Sequence, residues 1–424
     1  MTILGIQESV VAPLVRALSP EELSREYGRE QLAERFARAA WSTFAEPGDR
    51  DAGHLLNVLG AEASVRALTA SSIDDVAPIL HALADADDHE LTHDDAVDAV
   101  KRWRSRVEVP AVLRSLRQAA RFGARLLVPD DPEWPTGLDD LGEHRPAALW
   151  VRGDSRMLGQ LERSIAIVGA RAATGYGEHV TIEAASGLAD RGLTIVSGAA
   201  YGIDGIAHRA ALASSGATVA FLAGGVDRFY PAGHEALLTR IVERGAVVSE
   251  VPCGTAPTRW RFLQRNRLIA AASRATVVVE AGWRSGSLNT ANHAATLGRP
   301  IGAVPGPVTS AASVGCHRLL RDLTAVCVTT PDEMAELVPT VADSSPSPST
   351  DAAPPPVGID PTGTRVRLLD ALSERSGRSV ERIVALSGLA ADRVRAELGL
   401  LELEGIVQER PSGWLRKAAK DLAR

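Results

Sequence analysis

The residues of this chain best placed to do chemistry are arginines, serines and glycines that directly follow apolar runs. Ile165–Arg171 ends on Gly169 and Arg171, and Thr194–Asp204 carries Ser197, Gly198, Tyr201 and Gly202. Ala275–Ser287 closes on Ser285, Gly286 and Ser287, while Arg265, Asn266 and Arg267 stand side by side just upstream. These are donors: hydroxyls, guanidinium forks and backbone N–H groups that glycine leaves uncovered. A turn that opens a helix adds free N–H groups and the positive end of the helix dipole. Donors of this kind bind an anion, and arginine suits phosphate in particular because its fork matches the oxygen geometry.

The spacing excludes the two commonest phosphate sites. Gly169–Gly177 lacks the GK[ST] of a P-loop and the GxGxxG of a dinucleotide fold, which disfavours a magnesium-nucleotide ATPase and an ordinary NAD enzyme. Asp204 suits a helix cap or a residue that orients a partner. His208 has two readings, a general base or a packed histidine satisfied by a carbonyl; the second fits the lack of a neighbouring nucleophile. Arg265 and Arg267 are two apart and cannot share a helical face, so the block reads as a loop or first turn. Its alternative role is a structural cluster paired with Glu250 and Glu280. Ser285–Ser287, with Thr290, reads as an anion cradle or as helix capping. Cys253, Cys316 and Cys327 show no CxxC spacing, so neither a zinc site nor a disulfide framework is expected, and no cofactor is implied.

These turns need a scaffold that delivers them to one edge. Ile165–Val168, Leu193–Val196, Thr218–Leu222, Ala246–Ser249, Ala275–Val279 and Pro300–Val304 are continuous apolar runs, as strands buried on both faces should be. Helical segments alternate with them, which implies an α/β, doubly wound, mostly parallel sheet with the turns on its C-terminal edge. Residues 1–125 read as a small helical domain and 126–337 as the core, preceded by an approach segment, with the core proper at 164–337. Trp134 and Trp150 in the approach segment suit core anchors better than stacking platforms for bases. Residues 338–362, rich in Pro and Ser, read as a disordered linker. Residues 363–424 read as a winged helix: three short helices, then a hairpin wing. Ten Arg and Lys face eight Asp and Glu between Gly363 and Lys417, so that module is as suited to protein as to DNA. The net charge of −7 rules out a polycation but not a local basic groove. No signal peptide or membrane span is read, so a cytoplasmic location is expected.

In series, the blocks IVGAR (Ile167–Arg171), SGAAYGIDGIAHRAAL (Ser197–Leu212), LAGGVDRFYPAGHEAL (Leu222–Leu237), RNRLIAA (Arg265–Ala271), VVEAGWRSGSLNTA (Val278–Ala291), GRPIGAVPG (Gly298–Gly306) and GCHRLL (Gly315–Leu320) resemble the DprA/Smf family of DNA-processing proteins. The resemblance implies a Rossmann-like core that binds single-stranded DNA, forms a homodimer and helps load the recombinase RecA in natural transformation. By position, Arg171, Arg265–Arg267 and the Ser285–Ser287 turn would line the pocket. Departures are Ala232-Gly233-His234 after Tyr230-Pro231, where a basic residue is common, Tyr201 where arginine is common, and Thr324-Ala325 in place of Gly-Ala. Tyr201, Phe229 and Tyr230 are the expected base-stacking residues. The competing function is a nucleotide or nucleoside-phosphate hydrolase using Glu280; it lacks a PGGxGTxxE-like motif and a settled acid–base pair.

Overall fold

The computed structural model describes residues 2–20, 24–70, 77–84, 93–323, 325–339 and 363–417. In chain order its strands are β1 (Thr2–Ile3), β2 (Ile6–Gln7), β3 (Arg125–Leu127), β4 (Leu149–Gly153), β5 (Ser164–Val168), β6 (Thr194–Ser197), β7 (Thr218–Leu222), β8 (Ala246–Ser249), β9 (Ala275–Val278), β10 (Ile301–Ala303), β11 (Val326–Cys327), β12 (Val407–Arg410) and β13 (Gly413–Arg416). The six expected core strands all form, within a residue or two at each end, and every residue in them is buried.

Nine strands join in the order β11-β10-β9-β5-β6-β7-β8-β4-β3. Those from β11 to β8 run parallel, and β4 and β3 extend the sheet antiparallel. The chain winds outward from β5 in one direction through β6, β7 and β8, then returns to β9 on the other side of β5. The order therefore reverses between β5 and β9. In an open α/β sheet this is where two neighbouring connections leave in opposite directions and open a crevice at the strands' C-terminal ends. The doubly wound Rossmann-like architecture is as expected. The antiparallel strand β3, in a segment punctuated by prolines, is not legible in the pattern: only three of its residues pair, too few to show a period.

The N-terminal helices, among them Glu8–Ala17, Arg29–Phe44 and Val109–Arg121, bury their apolar stripes against the β3 end of the sheet. One continuous apolar cluster contains Trp41, Phe44 and Leu116 of these helices together with Trp150, Leu222 and Val247 of the sheet. A buried Arg35–Asp131 ion pair ties the helical region to the approach segment. The linker expected over 338–362 lies, from 340 onward, outside the described residues, as does Thr324. Helices Thr364–Ala371, Val380–Ser387 and Ala391–Leu403 and the β12–β13 hairpin make the expected winged helix around its own apolar cluster.

Trp150 has no exposed surface and packs in that shared cluster, so of its two readings the core anchor holds. Trp150→Ala is expected to lower the unfolding free energy by about 3–5 kcal/mol, the usual cost of emptying an aromatic site, measured by denaturant titration.

Candidate nucleic-acid interface

A cleft of about 810 Å³ opens where the strand order reverses. Val168–Arg171 after β5, Ala200 and Asp204 after β6, and Gly282–Ser287 after β9 line it, without Trp283. Tyr230, Pro257, Thr258 and Thr290 add to the lining, and a further wall is the helix Arg259–Ala272, which presents Arg259, Phe262, Leu263, Arg265, Asn266 and Ile269. These positions recur at three and four residues, one helical face. Four arginines (Arg171, Arg259, Arg265 and Arg284) face a single carboxylate, Asp204, so a chain of net negative charge carries a positive cleft.

The Arg265–Arg267 block corrects one expectation: it is neither loop nor first turn but the middle of this helix. The premise survives, because side chains two apart do diverge. Arg265 turns to the cleft floor, 6% exposed, and donates to the Gly198 carbonyl at 2.7 Å, to the Phe221 carbonyl and to Asn266 Oδ1 at 3.2 Å. Asn266 donates to the Gly286 carbonyl and to Asn289 Oδ1, both at 3.2 Å, and so holds the third turn. Arg267 points away from the cleft. It makes a two-pronged ion pair with Glu250 at 2.7 and 2.9 Å and is not among the lining residues. Its expected place in the pocket is thus replaced by the structural pairing.

The second turn is built rather than exposed. Ser197 is buried and donates to the Ile167 carbonyl at 2.7 Å, tying β6 to β5. Gly198 passes so close to the Arg265 guanidinium that any Cβ there would overlap it. Gly202 has φ 76° and lies against the Ala170 and Arg171 carbonyls, a position closed to a side chain on both counts. Asp204 accepts from the N–H groups of Gly198 at 3.2 Å and Ala200 at 3.4 Å. Burial raises its pKa, against the pull of Arg265 and of these backbone donors. Burial also takes Arg265 down to about 10, opposed by Asp204 and aided by Arg171. Arg265 therefore remains a cation at neutral pH, bonded to neutral oxygens. Tyr201 does not line the cleft; its ring leans edge-on against His234, 4.9 Å between centroids. His234, which stands near where the resembling family commonly carries a basic residue, is buried and donates through Nδ1 to the Ala199 carbonyl at 3.0 Å.

Glu280 is 1% exposed and accepts from the Thr174 N–H at 2.9 Å and from its hydroxyl, which fixes the turn carrying Arg171. It is not among the lining residues, so the candidate hydrolytic base serves as a brace. The Ser285 and Ser287 hydroxyls lie 2.7 Å apart at the cleft wall, and the helix Ser287–Thr296 begins there with Gly286 as its cap and no side-chain cap bond. Of the expected stacking residues only Tyr230 lines the cleft; Phe229 lies beneath Arg152 instead. The aromatic centre is Phe262, which sequence reasoning missed. Tyr230 tilts against it at 5.5 Å, and Arg171 and Arg265 lie over its ring at 5.2 and 5.9 Å. Reading 259, 262, 265 and 269 as one helical face was the signal that finds Phe262, Arg259 and Ile269 together. Arg284 follows from its place in the third turn.

The family profile for DNA recombination-mediator protein A matches residues 125–339, and that for the DprA winged helix domain matches residues 349–413. A Mycobacterium tuberculosis chain named putative DNA processing protein DprA is 46% identical over 321 residues, 73% of this chain and 81% of the other. The chain belongs to the DNA recombination-mediator protein A family. Escherichia coli protein Smf is 36% identical over 302 residues, 68% of this chain and 77% of its own length. The crystal structure of DNA processing protein A from Streptococcus pneumoniae superposes with a TM-score of 0.54 at 26% identity, covering 73% of this chain and 98% of that one.

His208, the other candidate base, has no exposed surface and lies outside the cleft lining; its Nδ1 is 2.7 Å from the Thr218 hydroxyl, which itself donates to Ile195. It is packed, as the second of the two readings has it, but its partner is a hydroxyl and not the expected carbonyl. Burial, with His234, Arg265 and Arg209 nearby, pushes its pKa from 6.5 down to about 3. The unfolded chain therefore takes up this proton first. The stability His208 contributes is complete above its unfolded pKa and drains as pH falls toward the folded value, by up to about 1.4 kcal/mol per pH unit. His208→Gln is expected to flatten the fall of unfolding free energy between pH 6.5 and 4 in urea titrations; an unaltered slope would contradict the neutral buried state.

Proposed function

We propose that the cleft holds the sugar-phosphate backbone of single-stranded DNA and that the chain is a binding protein rather than an enzyme. The observation that carries this is Arg265, a buried cation whose hydrogen bonds go to neutral oxygens at the floor of a cleft lined by three further arginines. Such a floor is completed by an anion from outside. Exposed Arg171, Arg259 and Arg284 extend the positive surface from a point to a track. Phe262 and Tyr230 offer ring faces beside it, and stacking on them needs bases freed from a partner strand. A grip made of backbone-directed arginines and ring faces is independent of sequence.

From the family likeness we further infer that the strand is passed to the recombinase RecA, that it is protected meanwhile, and that the working unit is a homodimer in the cytoplasm during DNA uptake and recombination. No helix of the described residues is long and apolar enough to cross a membrane.

If three or four phosphates are neutralised, log K falls with log[salt] at a slope of about −2 to −3, from roughly 0.7 per contact. Arg171→Ala and Arg259→Ala should each weaken binding of a labelled oligothymidine and reduce the slope by about 0.7. Equal affinity and equal slope in both variants would sink the assignment. Arg267→Ala, by contrast, should cost stability and leave the slope alone.

A further inference from the structure

The first turn of the helix Arg259–Ala272 serves two masters. Arg259 and Phe262 face the cleft, while the residues between them, Trp260 and Arg261, face the junction of the helical region and the winged helix. A helix leaves its first N–H groups without partners inside itself. Here Thr258 caps Arg261 N–H at 3.2 Å, and the next donor, Trp260 N–H, is taken at 2.8 Å by the carboxylate of Asp370, which belongs to the winged helix. Arg367, one turn earlier on the same winged-helix segment, lies over the Trp260 ring at 5.4 Å and donates to the Ser387 and Gly388 carbonyls.

Glu46 locks the far side. It is buried between Arg261 and Arg106, each at 2.9 Å. Burial works against its charge, yet Arg261, Arg106 and Arg367 overcome this and hold its pKa at about 2. Breaking one arm of such a buried network strands a charge, so Arg261 is held firmly to the helical region, while the Trp260 N–H depends on Asp370 of the winged helix. No winged-helix residue lines the cleft, so docking leaves it open.

We infer that the docked winged helix is a positioning element of the cleft: Asp370 holds the first turn that aims Arg259 and Phe262. This rests on the single-strand reading of the cleft. When docking weakens, the competent arrangement is less populated and apparent affinity falls by the same factor, with the bound contacts unchanged. Plain electrostatics predicts the opposite sign, since removing an anion beside a basic cleft should tighten DNA binding.

The test is salt-titrated anisotropy of a labelled oligothymidine on the full-length chain, wild type, Asp370→Ala and Asp370→Asn. Asp370→Ala should bind about fivefold more weakly, on the order of a lost helix cap, with an unchanged salt slope. Asp370→Asn, which keeps an acceptor oxygen, should restore wild-type affinity. Hydrogen exchange reads the same coupling without a variant: saturating oligothymidine should slow exchange in residues 364–371 of the wild type, because linkage is reciprocal. Equal or tighter binding by Asp370→Ala, or exchange in 364–371 indifferent to DNA, overturns the inference while the cleft stands. Failure of the wild type to bind oligothymidine overturns the reading of the cleft itself, and this inference with it.

Discussion

Everything at the cleft depends on one guanidinium held away from water. A buried arginine must give its donors to something, and Arg265 gives them to the carbonyls at the ends of β6 and β7 and to its neighbour Asn266. That demand fixes the helix Arg259–Ala272 over the sheet edge and admits no side chain at Gly198. It also leaves a positive charge that no hydrogen-bonded carboxylate cancels. The cleft floor is thus closely tied together and electrostatically unfinished for the same reason.

Around that point each turn has its own brace. Glu280 holds the turn after β5, Asp204 the turn after β6 and Asn266 the turn after β9. The braces are polar groups buried with their partners, a placement that stabilises geometry more than it adds free energy. Arg267 and Glu250 do the same for the back of the helix, where Gly48 N–H also reaches Glu250 at 3.3 Å. Polar residues that look functional in sequence divide into those that line the cleft and those that hold the ones that do.

That division explains what could be read in advance. The parallel strands were legible because burial on both faces leaves continuous apolar runs, and the glycine turns because close approach demands glycine. The winged helix was legible from its helix spacing and wing. The roles of Arg265 and Arg267 were not, since two arginines of one type two positions apart carry no mark of which faces inward. Phe262 was hidden because its block read as irregular, and an aromatic within a loop has no face. His234 and Tyr201 pack against each other through a contact between separate turns, which no local pattern records.

The braces also span the chain unusually far. Thr174 meets Glu280 across 106 positions and Gly198 meets Arg265 across 67, while β5 finds β9 only after β6, β7 and β8 have been laid down. During synthesis the turn that carries Arg171 emerges from the ribosome long before the residue that will steady it. At the ordinary pace of about 5–20 residues per second the gap is of the order of 5–20 seconds. Contacts of such long range are also the slow ones to close. A nascent chain therefore assembles its arginine-lined cleft only once nearly all of the sheet exists, so unfinished copies lack the site altogether.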